Sequence, residues 1–109
     1  MADATPAGRA ARVIYTVAML VARRFVVRGH VQGVGFRYFT EYAARHEGLH
    51  GWVTNRADGA VEVHAEGDRE AMTRFEAKLR QGPGAARVDE VWVDEDVPSG
   101  RATGFSIRS

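Results

Sequence analysis

The apolar positions of this chain switch repeatedly between the period of a strand and the period of a helix. Residues 23–28, rich in Phe and Val, predict a strand. Beyond a glycine-rich stretch, Phe36, Phe39 and Ala43 share one helical face, with Arg37, Glu41 and Arg45 on others and Gly48 as a stop. Residues 50–55 return to alternation, Gly51 and Val53 on one side, Trp52 and Thr54 on the other. Asp58-Gly59 predicts a tight turn, because glycine accepts the positive φ that hairpins need. Val61, Val63 and Ala65 then alternate with Glu62, His64 and Glu66, a strand with one wet face. Asp68 is suited to cap a helix whose apolar stripe is Met72, Phe75 and Leu79 and which Gly82-Pro83 ends. Val88, Val91 and Val93 place another strand over residues 87–97, and residues 105–107 form a short last piece.

The order strand, helix, strand, strand, helix, strand is the split βαβ arrangement of a ferredoxin-like α/β sandwich. The class is α+β: an antiparallel sheet in βαββαβ order with two helices on one face. Its first two strands run parallel, with one strand between them, so their C-terminal ends lie at the same sheet edge, about 10 Å apart. A glycine-rich loop leaves one of those ends, and Asn55 closes the other. The chain holds one domain, over residues 23–109. Residues 1–22 differ in composition and read as a flexible tail, or as a stretch upstream of a natural start at Met19.

Composition narrows the chemistry. There is no cysteine, which excludes disulfides, zinc-thiolate sites and cysteine nucleophiles, and suits a reducing cytoplasm. The formal net charge of +1 gives no general attraction to nucleic acid or anionic membrane, so any anion is bound by a local site. The apolar run over residues 13–22 is too short to span a bilayer, and Leu20 stands where a signal peptidase site prefers a small residue.

One segment supplies such a local site. Gly29, Gly33 and Gly35 join a strand to a helix N-terminus, where unpaired N–H groups and the helix dipole favour an anion. Arg37 falls in the first turn of that helix, where a cation is disfavoured by the dipole unless an anion occupies the loop. A tight turn without ligand is the plainer reading of the glycines alone. No Gly-Lys-Ser/Thr follows, so this is not a Walker A loop, and the spacing does not support a dinucleotide site.

Arg28-Gly29-His30-Val31-Gln32-Gly33-Val34-Gly35-Phe36-Arg37, followed by Gly51-Trp52-Val53-Thr54-Asn55 and Asp58-Gly59-Ala60-Val61-Glu62, resembles the acylphosphatase family. The resemblance extends from about Arg24 to Ile107, and the two motifs in this order and separation are specific. It implies hydrolysis of acyl phosphates to a carboxylate and inorganic phosphate, without metal or other cofactor. By the same resemblance Arg37 binds the phosphoryl group and Asn55 orients the attacking water. His30, Val31, Gln32, Gly33, Val34 and Gly35 form the backbone phosphate cradle, which inorganic phosphate or sulfate would also occupy. The expected partner is a small-molecule acyl phosphate, with no nucleic acid and no membrane, and the expected state is a cytoplasmic monomer.

The remaining candidates read as structural. His46 and His50 have helical metal-ligand spacing, but Gly48 between them should break the helix. His64 falls on a wet face, Trp52 reads as a packing residue, Gln32 and Val31 shape the loop, and Asp94-Glu95-Asp96 is a solvated strand end. An RNA-recognition domain shares this element order but carries aromatics on its central strands, and residues 61–66 have none. An accessory domain of a larger carbamoyl-transfer enzyme would bring further domains and zinc-binding cysteines. The start at Met19 is checked by the intact mass of the protein purified from its own cell; a mass matching all 109 residues excludes it.

Overall fold

Two helices close over one face of a five-stranded sheet in the computed structural model, which describes residues 19–109. The elements are β1 (Leu20–His30), α1 (Phe36–His46), β2 (His50–Asn55), β3 (Val61–Asp68), α2 (Arg69–Gln81), β4 (Arg87–Asp96) and β5 (Phe105–Arg108). This is the expected order with the short last strand included. β1 starts earlier than its apolar run suggested, and Val21 and Ala22 are already buried in it. The rest of the expected tail, residues 1–18, lies outside the described residues. No helix among the described residues is long and apolar enough to cross a membrane.

Local chemistry sets the helix ends. Asp68 caps α2 as expected, its carboxylate accepting from the Glu70 and Ala71 N–H groups at 3.0 and 3.2 Å. α1 ends where Gly48 turns left-handed, with Gly48 N–H donating to Arg45 O and Leu49 N–H to Ala44 O, a Schellman closure. One expectation for α1 needs correcting. Thr40, rather than Phe39, fills the core side of its first turns. The 3.6-residue period aligns Phe36 with Thr40, and the buried hydroxyl is satisfied by donating to Phe36 O at 2.9 Å.

The sheet order is β4-β1-β3-β2-β5. β3 pairs antiparallel with β1 on one side and β2 on the other, so β1 and β2 run parallel across it, as expected. The sheet is not wholly antiparallel, however: β5 runs parallel to β2. After β4 the chain must cross four strand spacings, about 19 Å, to reach the far edge, and the eight residues 97–104 span up to about 27 Å extended. Midway, Glu66 of β3 accepts from Ser99 N–H at 2.7 Å, from Ser99 Oγ–H at 2.9 Å and from Gly100 N–H. The chain then turns back, so β5 opposes β4 and follows β2.

The core lies between the sheet and the helices. Phe25, Val27, Val53, Val61 and Val63 meet Phe36, Ala44, Met72, Phe75 and Leu79 there. Phe75 sits centrally, fully buried, with its ring 5.9 Å from Phe25 and 6.2 Å from Phe105 in edge-on contacts. The opposite face is a polar lattice. Trp52 does pack, but there rather than in the core, between His64 at 4.1 Å and the Arg108 guanidinium at 4.3 Å. Asp94 and Glu95 are exposed and pair with Arg24 and Arg23, contacts that contribute little individually. Phe75→Ala is expected to destabilise the fold by about 3–5 kcal/mol, read as a lowered urea midpoint.

Candidate active site

The loop between β1 and α1 is prepared by an irregularity in the sheet. The β1–β4 register shifts between Arg28 and Gly29, so Asp89 is an extra residue on β4. This explains why the inward valines of β4 are spaced 88, 91, 93 rather than in strict alternation. Gly29 has φ 139°, and a Cβ there would collide with the Arg87 carbonyl. The strand end leading into the loop is thereby bent and held close to β4.

His30 is the last residue of β1, exposed and paired with Arg87, so the loop is one residue shorter than expected and begins at Val31. Val31 is buried and pins the loop to the core, with Val34 packed against it. Gly35 is the N-cap of α1 in the left-handed region, with φ 79° and ψ 17°. A Cβ on Gly35 would meet nothing within 4 Å, so it is the backbone angle and not crowding that calls for glycine.

The start of α1 is bare. It has no side-chain cap and no acidic residue in its first turn, and the first bond back is Phe39 N–H to Gly35 O at 3.0 Å. The N–H groups of Phe36, Arg37 and Tyr38 come before that bond and have no intrahelical acceptor. Arg37 is half-buried and makes no ion pair or side-chain hydrogen bond among the described residues. Arg23, Arg24, Arg28, Arg45, Arg56, Arg74, Arg80 and Arg87 are each paired with a carboxylate.

Asn55 closes β2 opposite Val61. Its Oδ1 is buried and has no hydrogen-bond partner among the described residues, an arrangement that costs free energy unless something else is bound there. Arg37 and Asn55 come together in one cleft of about 220 Å³, lined also by Val31, Gly33, Gly35, Phe36 and Tyr38. The volume suits a small tetrahedral anion rather than a large ligand. A larger cleft, about 570 Å³, lies at the other end of the sheet around Trp52, Glu66 and Arg101. It contains none of the expected site residues, and its Glu66 already holds the 97–104 crossing, so size does not identify the site.

Of the expected loop residues, Val31, Gly33 and Gly35 line the cleft; His30, Gln32 and Val34 do not. Gln32 turns instead to the β2–β3 turn. Phe36 and Tyr38 also line the cleft; in sequence Phe36 stands only as an apolar position of α1, and the signal at Tyr38 is adjacency to Arg37 at a helix start. Asp58 was read only as a turn residue, yet it gathers Arg28 at 3.3 Å, Arg56 at 3.0 Å and the Ala60 N–H at 3.1 Å. These partners, the Ala60 N–H first, hold its carboxyl below the ordinary aspartate range against a smaller effect of desolvation. His46 and His50 part company: His46 stacks on Tyr42, and His50 Nδ1 accepts from Gly104 N–H at 2.9 Å. No group of three or more His, Cys, Asp or Glu converges as a metal site among the described residues.

Comparison with known proteins finds relatives over most of the chain. The family model described as acylphosphatase matches residues 23–107. A protein of Koribacter versatilis named acylphosphatase is 48% identical over 102 residues, covering 94% of this chain and 90% of its own. One of Thermotoga maritima with the same name is 49% identical over 79 residues, 72% of this chain and 88% of its own. The crystal structure of acylphosphatase from Bacillus subtilis superposes with a TM-score of 0.79 at 41% identity, covering 84% of this chain and all of that one.

The lowered carboxyl of Asp58 gives a signed prediction. A depressed native pKa contributes stability above the unfolded value and loses it as pH falls through the native one. Asp58→Asn should therefore melt below wild type at neutral pH, with the two melting curves converging in acid; a gap that stays constant with pH contradicts the assignment.

Proposed function

The chain belongs to the acylphosphatase family and hydrolyses the carboxyl–phosphate bond of acyl phosphates, and we propose that Arg37 and Asn55 carry that reaction over the Val31–Gly35 cradle. The observation that supports these roles most directly is the pairing, in one cleft, of an arginine with no carboxylate partner and a buried amide oxygen with no donor among the described residues.

In this reading the loop N–H groups and the start of α1 receive the phosphoryl oxygens. The Arg37 guanidinium adds a planar, two-pronged donor. Its position in the first turn is unfavourable for the empty helix, and a bound dianion reverses that. As the carboxylate leaves, charge spreads over the equatorial phosphoryl oxygens, where these donors act on it. Asn55 accepts from a water at its Oδ1 and aims it at phosphorus. The water's oxygen bonds to phosphorus, the bond from phosphorus to the acyl oxygen breaks, and the electron pair leaves with the carboxylate. An amide is a poor base, so the proton goes to a phosphoryl oxygen of the substrate. The leaving carboxylate is stable and needs no general acid.

The reaction so described uses no metal. Inorganic phosphate, as product, occupies the same cradle and competes with substrate. A cytoplasmic monomer fits the lack of cysteine and the single core.

Release of phosphate from benzoyl phosphate and acetyl phosphate should proceed undiminished in EDTA; a strict divalent-ion requirement contradicts the mechanism. Arg37→Lys keeps charge but loses the planar fork, and Asn55→Ala removes the water ligand. Each should lower kcat by about 10²- to 10³-fold in a correctly folded protein. Near wild-type turnover in folded Arg37→Lys would remove the arginine from its role.

A further inference from the structure

We infer that Gln32 is a positioning residue whose side-chain amide locks the phosphoryl loop to the turn that follows Asn55, so that water and phosphoryl group are held in one frame. This rests on the roles proposed for Arg37 and Asn55. The need for such a lock comes from the sheet. The loop leaves β1 and Asn55 ends β2, and those strands are not paired with each other; β3 lies between them. The β1–β3 ladder ends at the Val27–Val61 pair and the β2–β3 ladder at Asn55–Val61. Past Val61, no backbone pairing among the described residues relates the loop to the residue it must work with.

Gln32 spans that gap. Its Nε2 donates to Arg56 O at 2.8 Å and to Ala60 O at 3.0 Å. Both acceptors belong to one turn, which is itself closed by Arg56 N–H to Ala60 O at 2.8 Å and Gly59 N–H to Arg56 O at 3.2 Å. A primary amide has two N–H donors, and both are spent on this turn. The orientation follows from chemistry, since two carbonyl oxygens accept only from the nitrogen end. Among the described residues these are the direct hydrogen bonds between the loop and the 56–60 turn. Arg28, from β1, grips the tip of the same turn through Asp58. Arg56 is the residue after Asn55, so a shift of its carbonyl is a shift of the backbone that carries the water ligand.

The consequence separates two quantities that a general structural role would not. Phosphate binding depends on the cradle and Arg37, whereas turnover also depends on where Asn55 sits relative to them. Gln32→Met keeps the side chain's length and removes its donors. In that variant kcat on benzoyl phosphate should fall by about 10- to 100-fold, the scale of a misplacement near 1 Å. The inhibition constant of inorganic phosphate should stay within about threefold of wild type, marking a transition-state rather than a binding loss.

The decisive measurement is the double-mutant cycle with Asn55→Ala. Once Asn55 is gone, adding Gln32→Met should cost no more than about a further twofold in kcat. Fully additive losses overturn the inference, as does unchanged kcat in folded Gln32→Met. So does a phosphate inhibition constant that rises in step with the loss of turnover, which would make Gln32 part of the cradle alone. If the Met variant does not fold, Gln32→Leu removes the donors without adding charge and carries the same expectations. Wild-type turnover in Asn55→Ala would strike the parent reading instead, independently of Gln32.

Discussion

β3 is the strand to which the rest of the molecule is registered. Val61, Val63 and Ala65 are buried under the helices, so a one-residue slip would turn the core face into the solvent face. With its own register fixed in this way, β3 fixes β1 on one side and β2 on the other. Both neighbours run antiparallel to it and therefore parallel to each other. Their C-terminal ends fall at one edge of the sheet, where the cradle and Asn55 meet. Packing in the core thus decides the address of the candidate site.

The two helices show opposite electrostatic choices at their N-termini. α2 begins with an aspartate that caps two N–H groups and a glutamate in the first turn, the arrangement that stability favours. α1 begins with a left-handed glycine, no side-chain cap, no acid and an arginine at its second position. Replacing a good cap by glycine costs a few tenths of a kcal/mol, and the misplaced cation adds to it. Among the described residues, the chain tolerates this at the helix whose start lines a cleft with an Asn55 oxygen that has no partner. The same sequence carries both solutions, so the bare end of α1 is not a limit of the fold.

On the far face of the sheet the chemistry is used for closure. Glu62 is kept below the ordinary glutamate range by His64 first and then by Arg24. Glu66 is lowered by the Ser99 N–H first and by other donors of the strap it holds. These carboxylates are occupied by the protein's own donors, whereas the Arg37 side chain and Asn55 Oδ1 have no partner among the described residues.

Much of this was legible in the sequence, because it depended on neighbours along the chain. Hydrophobic period gave the strands and helices, Asp68 and Gly48 marked helix ends, the glycines with Arg37 pointed to an anion at a helix start, and Asn55 entered through the family resemblance. What the sequence could not carry were relations between residues far apart. The parallel course of β5 follows from a strap seated on Glu66, and the end of β1 at His30 rather than before it follows from a bulge at Asp89. The grip of Gln32 on the 56–60 turn joins residues 24 and 28 positions apart. Local preference determines which segment becomes a strand, helix or turn, because those energies act within a few residues. Which side chain closes on which turn is decided only when packing of the core brings distant segments into contact.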